Sequence, residues 1–291
     1  MPSACAIIVN YDAGPFLKQV VNSVLCSEAV HKVIVVDNHS TDQSMDEAER
    51  IAVSQSRLTC IRNKENLGFA KACNIGVAAA DESEYLLFLN PDCLMEENAL
   101  ETLLAFMTSS PETGMAGPLL LNPDRTEQAG GRRAVPTPWR AFVRAFGLSK
   151  LGEIYPRFFS DFLLHQQPLP DRPMEVEAIS GSCMLVRREA IKAIGLLDEG
   201  YFMHCEDLDW CMRFRRGKWK IMFVPGACAV HYKGMCSKRQ PLLVEWHKHK
   251  GMIRFYRKFF RHQYPGILMR IVALGVWLRF GAMAISQFIR E

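Results

Sequence analysis

Four short apolar runs stand in the first third of the chain and alternate with segments whose apolar residues have helical spacing. The runs are ACAIIVN (4–10), KVIVVD (32–37), LTCIR (58–62) and YLLFLN (85–90). Continuous apolar runs that are rich in β-branched residues and separated by helices are typical of buried parallel strands. The pattern predicts a β-α-β-α-β-α start and an α/β fold whose doubly wound, mostly parallel sheet is flanked by helices.

The composition of the chain changes between residues 130 and 173. Arg, Pro and aromatic residues dominate there, as in GGRRAVPTPWRAFVRAF (130–146), and the apolar periodicity is weak. Such a segment predicts an excursion or lid on the first domain, not a second domain with its own core. Beyond it, the pattern predicts a helix near 206–216 and a pair of strands around 219–232, so the sheet resumes.

The overall composition is that of an ordinary globular protein. Hydrophobic residues make up 49% and charged residues 23% of the 291 residues, which excludes wholesale disorder and a small disulfide-stapled scaffold. The 10 cysteines include no C-x-x-C pair, so we expect buried thiols in a reducing compartment. The start, MPSACAIIVNY, resembles a first strand and not a signal peptide, and we expect the protein to be cytoplasmic.

The basic charge is concentrated in the last part of the chain. The net charge is +4, yet residues 246–290 carry nine Lys and Arg and no Asp or Glu. Residues 248–261 have the spacing of a basic amphipathic helix, and the apolar stretch 267–285 contains Arg270 and Arg279. We expect residues 244–291 to form a helical region peripherally associated with the anionic inner face of the cell membrane. Two alternatives stay open: a membrane span, and helices packed on the first domain or on a second subunit.

Three common signatures of phosphate binding or acyl chemistry are absent from the sequence: G-x-G-x-x-G, G-x-x-x-x-G-K-[ST] and G-x-S-x-G. Their absence argues against a dinucleotide dehydrogenase, a P-loop NTPase and an α/β-hydrolase, and no nucleic-acid partner is expected. Polar groups instead follow the predicted strands in VNY (9–11), VVDNHSTD (35–42), NLGFAKACNIG (66–76) and LNPD (89–92). At the carboxyl ends of parallel strands, such groups form a surface on which a nucleotide binds.

Single residues in these motifs have a structural as well as a functional interpretation. Asp37 is placed to accept hydrogen bonds from a base or a ribose, but Asp, Asn and Ser are also common in turns and helix caps. Asp92 is placed to hold a divalent cation against a diphosphate. The same tripeptide recurs in LLLNPD (119–124), where Asp124 closes another predicted strand, so Asp124 serves as an internal control for Asp92.

Carboxylates are concentrated in MHCEDLDWCMRFRRGKW (203–219). Glu206, Asp207 and Asp209 lie at the start of the predicted helix, where the helix dipole favours acidic side chains. Mutual repulsion of carboxylates is also a property of sites that tune a catalytic base, and both interpretations stay open. His231, in CAVHY, follows a predicted strand and is either a metal ligand or a hydrogen-bonded structural residue.

The order of the motifs resembles that of one known family. VNY, VVDNHSTD, NLGFAKACNIG and LNPD are followed by SGSCMLVRREAI, LLDEGYFMHCEDLDWCMR and AVHY. In this order they resemble the family 2 glycosyltransferases with the GT-A fold, and most of all the bacterial rhamnosyltransferases. The resemblance covers residues 4–233. It implies a GT-A (Rossmann-like) catalytic domain over residues 1–243, with 130–173 as an acceptor-side excursion or lid.

The resemblance also implies roles for single residues. Nucleotide-sugar binding would fall to Asn10, Tyr11, Asp37, Asn38, Asn66, Gly68, Asn74, Gly181 and Ser182. Asp92 stands in the place of the metal-binding D-x-D and His231 in that of a late metal ligand, which implies Mg²⁺ or Mn²⁺ as cofactor. Asp207 has the place of the catalytic base, and Glu206 would orient the acceptor or Asp207. The chain departs from the family at Asn90, where D-x-D has its first Asp.

The reaction implied by the resemblance is the transfer of a sugar, with inversion, from a nucleotide sugar to a hydroxyl group. A base takes the acceptor proton, and a cation carries charge on the departing diphosphate. The rhamnosyltransferase branch implies dTDP-L-rhamnose as donor and a lipid-linked bacterial surface glycan, of lipopolysaccharide or the cell wall, as acceptor. Two alternatives stay open: the same fold with a UDP-sugar, and a catalytically inactive glycan-binding subunit. A homo-oligomer stays open as well.

Overall fold

The computed structural model describes residues 3–159, 161–234 and 241–288, and in this part of the chain a central nine-stranded sheet carries helices on both faces. The strands are Ala4–Asn10 (β1), Val30–Asp37 (β2), Leu58–Arg62 (β3), Tyr85–Leu89 (β4), Cys93–Met95 (β5), Thr113–Leu121 (β6), Arg132–Arg133 (β7), Met174–Glu175 (β8), Ala178–Ile179 (β9), Cys183–Arg187 (β10) and Lys220–His231 (β11). The helices are Pro15–Leu25 (α1), Ser44–Ser54 (α2), Phe69–Ala79 (α3), Ala99–Ser109 (α4), Pro138–Ala145 (α5), Pro156–Phe159 (α6), Arg188–Ile194 (α7), Glu206–Arg216 (α8), Pro241–Phe260 (α9) and Gly266–Phe288 (α10). Two 3₁₀ helices lie at Leu148–Glu153 and Leu164–Gln166.

The first half of the sheet is the parallel arrangement that the apolar runs predict. Its strand order is β3-β2-β1-β4, with α1, α2 and α3 as the connections between parallel strands. The second half is mixed, because β10 lies antiparallel between β4 and β6 and β5 lies antiparallel beside β11 at the edge. The position of β10 brings its first residue, Cys183, opposite Leu89 at the carboxyl end of β4.

Both faces of the sheet are covered. On one face, Trp210 of α8 is fully buried and meets Phe88 edge-on, with the ring centroids 5.2 Å apart. On the other face, Leu17, Met45 and Leu103 from α1, α2 and α4 pack in a second core cluster. Because neither face meets water, the central strands are apolar at successive positions, which explains why their sequences show no alternation.

The sheet differs from the expectation at residues 219–232, where the pattern predicted a pair of strands. The structure has one strand of 12 residues there, β11, which is parallel to β6. Its register against β6 shifts between Val224 and Cys228, so Pro225 and Gly226 bulge from the ladder. Pro has no N–H for the ladder and Gly weakens a strand, so the sequence resembles a turn although the strand continues.

The excursion, residues 130–173, leaves the sheet after β6 and returns to it at β8. β7 pairs with β9 in a separate two-stranded sheet, and Arg140 of α5 pairs with Glu177 at 2.6 Å. Trp139, Phe142 and Phe146 contact one another along α5 and stay exposed. The excursion is thus attached to β9 through β7 and to Glu177 through Arg140, and its role as a lid stays a prediction.

The basic helix of the tail, α9, packs on the rest of the chain. Its aromatic residues Phe255 and Phe259 are buried in the same core cluster as Trp210. On its polar side, Arg254 and Lys258 pair with Asp198 at 2.9 and 2.7 Å. The buried apolar residues of α9 thus pack on the first domain, as in the alternative, while Leu242, Leu243 and Trp246 at its start are exposed. Membrane contact of residues 244–291 stays a prediction.

The last helix, α10, folds back along α9. The ring centroids of Trp246 and Trp277 are 4.9 Å apart, and those of His249 and Phe280 are 5.5 Å apart. The outer side of α10 is exposed. Within the described residues, Gly266–Ser286 is the one stretch long and apolar enough to cross a membrane by length and composition, with a mean hydropathy of 1.7.

A buried ionic cluster around Asp209 joins α8 to α9. The Asp209 side chain is 0% exposed, and its two oxygens pair with Arg213 Nε at 2.7 Å and with Lys258 Nζ at 2.6 Å. The hydroxyl group of Tyr201 donates to Asp209 Oδ2 at 3.2 Å. Since every partner of this carboxylate belongs to the framework around α8, we infer a structural role for Asp209.

We expect Asp209→Asn to lower the free energy of unfolding by about 3 kcal/mol, because two cations lose their buried counter-charge. Denaturant unfolding at neutral pH measures this change. Asp198→Asn is the matched control, since Asp198 shares Lys258 but its side chain is 18% exposed, and a smaller loss is expected there. An equal loss of stability in the two variants would contradict the structural role of Asp209.

Candidate active site

Asn10 and Asp37 lie side by side at the carboxyl ends of β1 and β2, where the two residues pair in register. Asn10 is fully buried, and its amide group donates to Asp37 Oδ1 at 2.8 Å. Asp37 also accepts hydrogen bonds from the backbone N–H and the hydroxyl group of Ser40, at 3.1 and 2.5 Å. Asn10 therefore orients the carboxylate of Asp37 from the neighbouring strand, while Tyr11 is half-buried at the same edge.

The next polar residues join the end of β2 to the loop before α8. The Asn38 amide group donates to the Gly68 carbonyl at 3.1 Å, and Asn66 Oδ1 accepts from the Gly68 N–H at 3.0 Å. Gly68 has φ +83° and its Cβ position lies 2.5 Å from the Phe202 carbonyl oxygen, so no side chain fits there. Asn38, Asn66 and Gly68 thus form one connected surface that reaches Phe202.

Asn74 lies on the buried side of α3, and its amide group is fully engaged. It donates to the Leu197 carbonyl and to Glu199 Oε1, both at 3.0 Å, and accepts from the Leu197 N–H at 3.2 Å. These contacts hold residues 197–199 against α3. They give Asn74 a positioning role, and its contact with the donor stays a prediction.

Asp92 and His231 are in contact although they lie far apart in the sequence. β5 pairs with β11 so that Cys93 is opposite His231, which brings His231 Nε2 to 3.2 Å from Asp92 Oδ1. The Tyr232 N–H donates to the Asp92 carbonyl at 2.9 Å, and the side chains of Asp92 and His231 are 5% and 8% exposed. The structure therefore brings together the two residues that the sequence assigned to a metal.

Gln128 orients the ring of His231, and no motif in the sequence marks it for this role. Its amide group donates to the His231 carbonyl and to Asn122 Oδ1, both at 3.0 Å. Its Oε1 lies 2.6 Å from His231 Nδ1, so Nδ1 carries the hydrogen of the neutral ring. The lone pair of Nε2 then faces a carboxylate oxygen, and such a pair of donor atoms fits a proton or a metal cation between them.

Asp207, at the first turn of α8, is anchored on three sides. Its Oδ2 accepts from the Gly181 N–H at 3.0 Å and pairs with Arg133 Nη2, and its Oδ1 accepts from the Leu208 N–H at 2.7 Å. Arg133 comes from β7 in the excursion and was not found from the sequence, because nothing in GGRRAV distinguishes a site residue from a surface one. Asp207 is a buried residue whose side chain is 12% exposed, so it is held in place with a small part of its surface open to solvent.

The SGSC turn connects Asp207 to the segment that carries Asp92. The Gly181 N–H bonds to Asp207, and the Ser182 carbonyl accepts from the Asn90 N–H at 2.8 Å. Ser182 is buried, and its hydroxyl group is 2.6 Å from that of Ser180. The Cβ position of Gly181 is 3.2 Å from Asp207 Cβ, which leaves little room for a side chain. Gly181 and Ser182 therefore set the separation of the two acidic centres.

Glu206 is buried beside Asp207 and its Oε2 has no hydrogen-bond partner in the described part of the chain. Burial, and after it the charge of Asp207, raises the pKa of Glu206 above its usual value. Two adjacent carboxyl groups thus have different environments, one paired with a cation and one kept from water. Such a division is typical of sites in which one carboxyl group works as a base and its neighbour stays protonated.

A sheet of this order, with acidic and imidazole side chains gathered at its carboxyl edge, defines a GT-A glycosyltransferase fold, and solved structures agree. The mannosyltransferase PcManGT from Pyrobaculum calidifontis, in complex with GDP-Man and Mn²⁺, has a TM-score of 0.60 at 15% identity, covering 98% of this chain and 75% of that chain. GalNAc-T7 with UDP, GalNAc and Mn²⁺ has a TM-score of 0.63 at 17% identity. There the match covers 88% of this chain and 48% of the other, about half its length.

The chain belongs to Glycosyl transferase family 2, which it matches over residues 5–195. It is 30% identical over 246 residues to the N-acetylglucosaminyl-diphospho-decaprenol L-rhamnosyltransferase of Mycobacterium tuberculosis, covering 81% of this chain and 78% of the relative. It is 27% identical over 234 residues to the rhamnosyltransferase WbbL of Escherichia coli K12, covering 78% and 82%. The family, the fold and the enzyme class predicted from the order of the motifs are thereby confirmed.

We expect the stability of the folded protein to depend on pH through Glu206. A raised carboxyl pKa means that its contribution to stability is complete below the unfolded pKa, about 4.5, and is lost as pH rises through the folded pKa. Between about pH 5 and pH 8, the free energy of unfolding should therefore fall relative to that of Glu206→Gln, by about 1–3 kcal/mol. Denaturant titrations at several pH values measure the difference. Glu65→Gln, at an exposed position, should show the same pH dependence of the free energy of unfolding as the unaltered chain. If the free energies of Glu206→Gln and of the unaltered chain change equally with pH, the prediction is contradicted.

Proposed function

We propose that this glycosyltransferase moves L-rhamnose from dTDP-L-rhamnose, with inversion, onto a hydroxyl group of a lipid-linked glycan. The observation that carries the reaction type is Asp207, a carboxylate held at the start of α8 by Arg133 and by the Gly181 N–H. The turn that contains Gly181 is also hydrogen-bonded to the Asn90 N–H, two residues before Asp92. The names of the rhamnosyltransferase relatives support the donor, and the diphospho-decaprenol in the name of the Mycobacterium tuberculosis relative supports a lipid-linked acceptor.

The proposed mechanism needs one base and no covalent intermediate. Asp207 takes the proton from the acceptor hydroxyl group, whose oxygen attacks the anomeric carbon opposite the leaving diphosphate. Arg133 and the Gly181 N–H hold the carboxylate in position for this transfer. Burial raises the pKa of Glu206, which favours its neutral form and so reduces the negative charge beside the base. Asp37 and Asn38 face the nucleoside from the ends of the parallel strands.

The donor is tested by incubating the full chain with a panel of nucleotide sugars and measuring the release of nucleoside diphosphate. Release from dTDP-L-rhamnose above all other donors is the expected result. Faster release from a UDP-sugar than from dTDP-L-rhamnose would show that the donor is a UDP-sugar. No release from any donor, together with tight binding of a nucleoside diphosphate, would favour an inactive glycan-binding subunit.

We expect Asp207→Asn to lower kcat by about 10²-fold or more, because the amide cannot accept the acceptor proton. The Kd for the nucleoside diphosphate should change little, since Asp207 is assigned to the acceptor side. Steady-state kinetics and calorimetric titration of the same preparation give both quantities. Asp209→Asn, corrected for the fraction of folded protein, should lose far less activity. Equal losses of kcat at the two positions would show that the base is wrongly assigned.

Asp92 and His231 fit a divalent cation. A carboxylate oxygen and an imidazole nitrogen are suitable ligands, and Gln128 fixes the ring with its Nε2 toward Asp92. Among the residues that the structure describes, no group of three or more His, Cys, Asp and Glu side chains could hold a metal. The protein would thus supply two ligands and the donor diphosphate the others. A bound Mg²⁺ or Mn²⁺ supplies positive charge for the departing diphosphate.

We expect Asp92→Ala to weaken the Mn²⁺-dependent binding of the nucleoside diphosphate by about 10-fold or more, because one of two protein ligands is removed. Calorimetric titration with and without Mn²⁺ measures this effect apart from catalysis. Asp124→Ala is the matched control, since Asp124 ends the same tripeptide but bonds only to Thr126 in an exposed turn. An equal effect of Asp124→Ala, or binding that is independent of Mn²⁺, would contradict the metal site.

The proposed membrane contact is α10, lying in the plane of the cytoplasmic membrane surface. Apart from Leu268, the exposed large apolar residues of α10 fall within about 60° of one another at about 100° per residue. They are Ile267, Ile271, Leu274, Leu278 and Ile285. Arg270 and Arg279 lie on either side of this stripe, about 70° and 110° from its centre. Arginines that flank an apolar stripe reach lipid phosphates without entering the hydrocarbon, as an interfacial helix requires.

We expect Leu274→Glu to reduce co-sedimentation with anionic vesicles by about 10-fold, because it puts a charge into the apolar stripe near the middle of its length. Val53→Glu, at a 90% exposed position on α2, is the matched control and should bind as the unaltered chain does. Cutting after Glu245 would remove the buried aromatic residues of α9, so substitution on α10 is the sharper test. Binding that resists high salt and alkaline extraction would favour a membrane span. If the Leu274→Glu variant co-sediments as well as the unaltered chain, contact through this stripe is excluded.

A further inference from the structure

A basic cavity of about 630 Å³ lies between α9, α10 and the residues before α8. Tyr201 and Phe202 form one wall, and Trp277 of α10 belongs to another. The cationic residues that line it come from α9; they are Lys250, Arg254, Arg257 and Lys258. None of the residues assigned above to the donor, the metal or the base lines this cavity.

The cations of the cavity outnumber the anions that face them. Arg254 and Lys258 share the carboxylate of Asp198, and Lys258 also reaches Asp209. Lys250 and Arg257 have no ion pair in the part of the chain that the structure describes. His247, stacked on Phe202 at 4.3 Å, lies on the same side, and burial, followed by the charge of Lys250, lowers its pKa. The cavity therefore carries surplus positive charge and suits a ligand with more than one negative charge.

The wall of the cavity continues into the loop that carries the base. The Phe202 carbonyl accepts from the Phe69 N–H at 2.7 Å, next to Gly68 on the donor surface. Gly251 of α9 packs so closely that its Cβ position is 2.9 Å from the His204 carbonyl oxygen, three residues before Asp207. The cavity is thus bounded by the catalytic loop at one end and by α10, through Trp277, at the other.

We propose that this cavity binds the diphosphate group of the lipid-linked acceptor. The assignment rests on the proposed function and adds a second anion site to it, separate from the donor diphosphate at Asp92 and His231. Guanidinium and ammonium groups bind phosphate oxygens through charge-assisted hydrogen bonds. The half-buried aromatic side chains of Phe202 and Trp277 give the first carbons of a lipid an apolar surface beside these cations. A diphosphate held here would have its lipid on the side of α10 and its sugar on the side of Asp207.

The test uses farnesyl diphosphate as the probe and the full chain saturated with nucleoside diphosphate, so that the donor site is filled. We expect Lys250→Ala/Arg257→Ala to weaken binding by about 10-fold or more, because two unpaired cations are lost. Arg50→Ala/Arg261→Ala is the matched control, since it removes the same charge at two exposed positions that have no ion pair in the described residues and do not line the cavity. Its Kd should stay within about 2-fold of that of the unaltered chain. Equal Kd values for the two double variants would overturn the assignment.

Two further binding experiments test whether the cavity recognises a diphosphate group. Farnesyl monophosphate should bind at least about 10-fold more weakly than the diphosphate, and equal binding would overturn the proposal. Vesicles of anionic lipid without diphosphate should bind the two double variants equally. If only the Lys250→Ala/Arg257→Ala variant loses binding to these vesicles, the cavity is a site for lipid headgroups, and the diphosphate proposal is overturned. Arg257→Gln replaces the double variant if thermal unfolding shows that the latter is not folded. Absence of donor hydrolysis by the unaltered chain would contradict the proposed function without altering these binding results.

Discussion

The antiparallel insertion of β10 between β4 and β6 is the constraint on which the candidate active site depends. It places the turn before β10 at the carboxyl end of β4, where the Ser182 carbonyl accepts from Asn90 at 2.8 Å. From the same turn, Gly181 donates to Asp207 at 3.0 Å. A parallel β10 would begin at the opposite edge of the sheet. The separation of Asp92 and Asp207, which come from different halves of the chain, is therefore set by one hydrogen-bonded turn.

The three carboxyl groups of the first turn of α8 show how the environment divides similar side chains. Asp209 is neutralised by Arg213 and Lys258 inside the framework, and Asp207 meets Arg133 at the accessible edge. Glu206 is buried and its Oε2 has no partner within the described residues. The helix dipole favours acidic residues at all three positions, so it does not distinguish among them. Their different roles follow from which cations the excursion and α9 bring to α8.

The sequence predicts the features that depend on local pattern and on the order of motifs. The parallel start of the sheet and the turn at Asp124 are of this kind, and so is the assignment of Asp92 and His231 to one place. Arg133 and Gln128 are not predictable in this way, because their roles arise from contacts between segments without apolar periodicity. The continuous β11 was missed because Pro225 and Gly226 have the chemistry of a turn while the pairing with β6 continues around them. The amphipathic pattern of α9 shows that one face is covered, but only the tertiary structure shows that protein covers it.

The packing of α9 also determines how far a bound membrane surface would lie from the candidate active site. Gly251 lies against the backbone of His204, and Lys258 is tied to Asp209 within α8, so α9 and the catalytic loop form one unit. Trp246 then fixes α10 to α9 through Trp277, at 4.9 Å between ring centroids. A lipid surface bound by the outer stripe of α10 would thus stand at a set height from Asp207. An acceptor whose diphosphate lies at that height can bring its sugar to Asp207 without a hinge motion of the enzyme, because the packing of α9 and α10 fixes the distance between the membrane and Asp207.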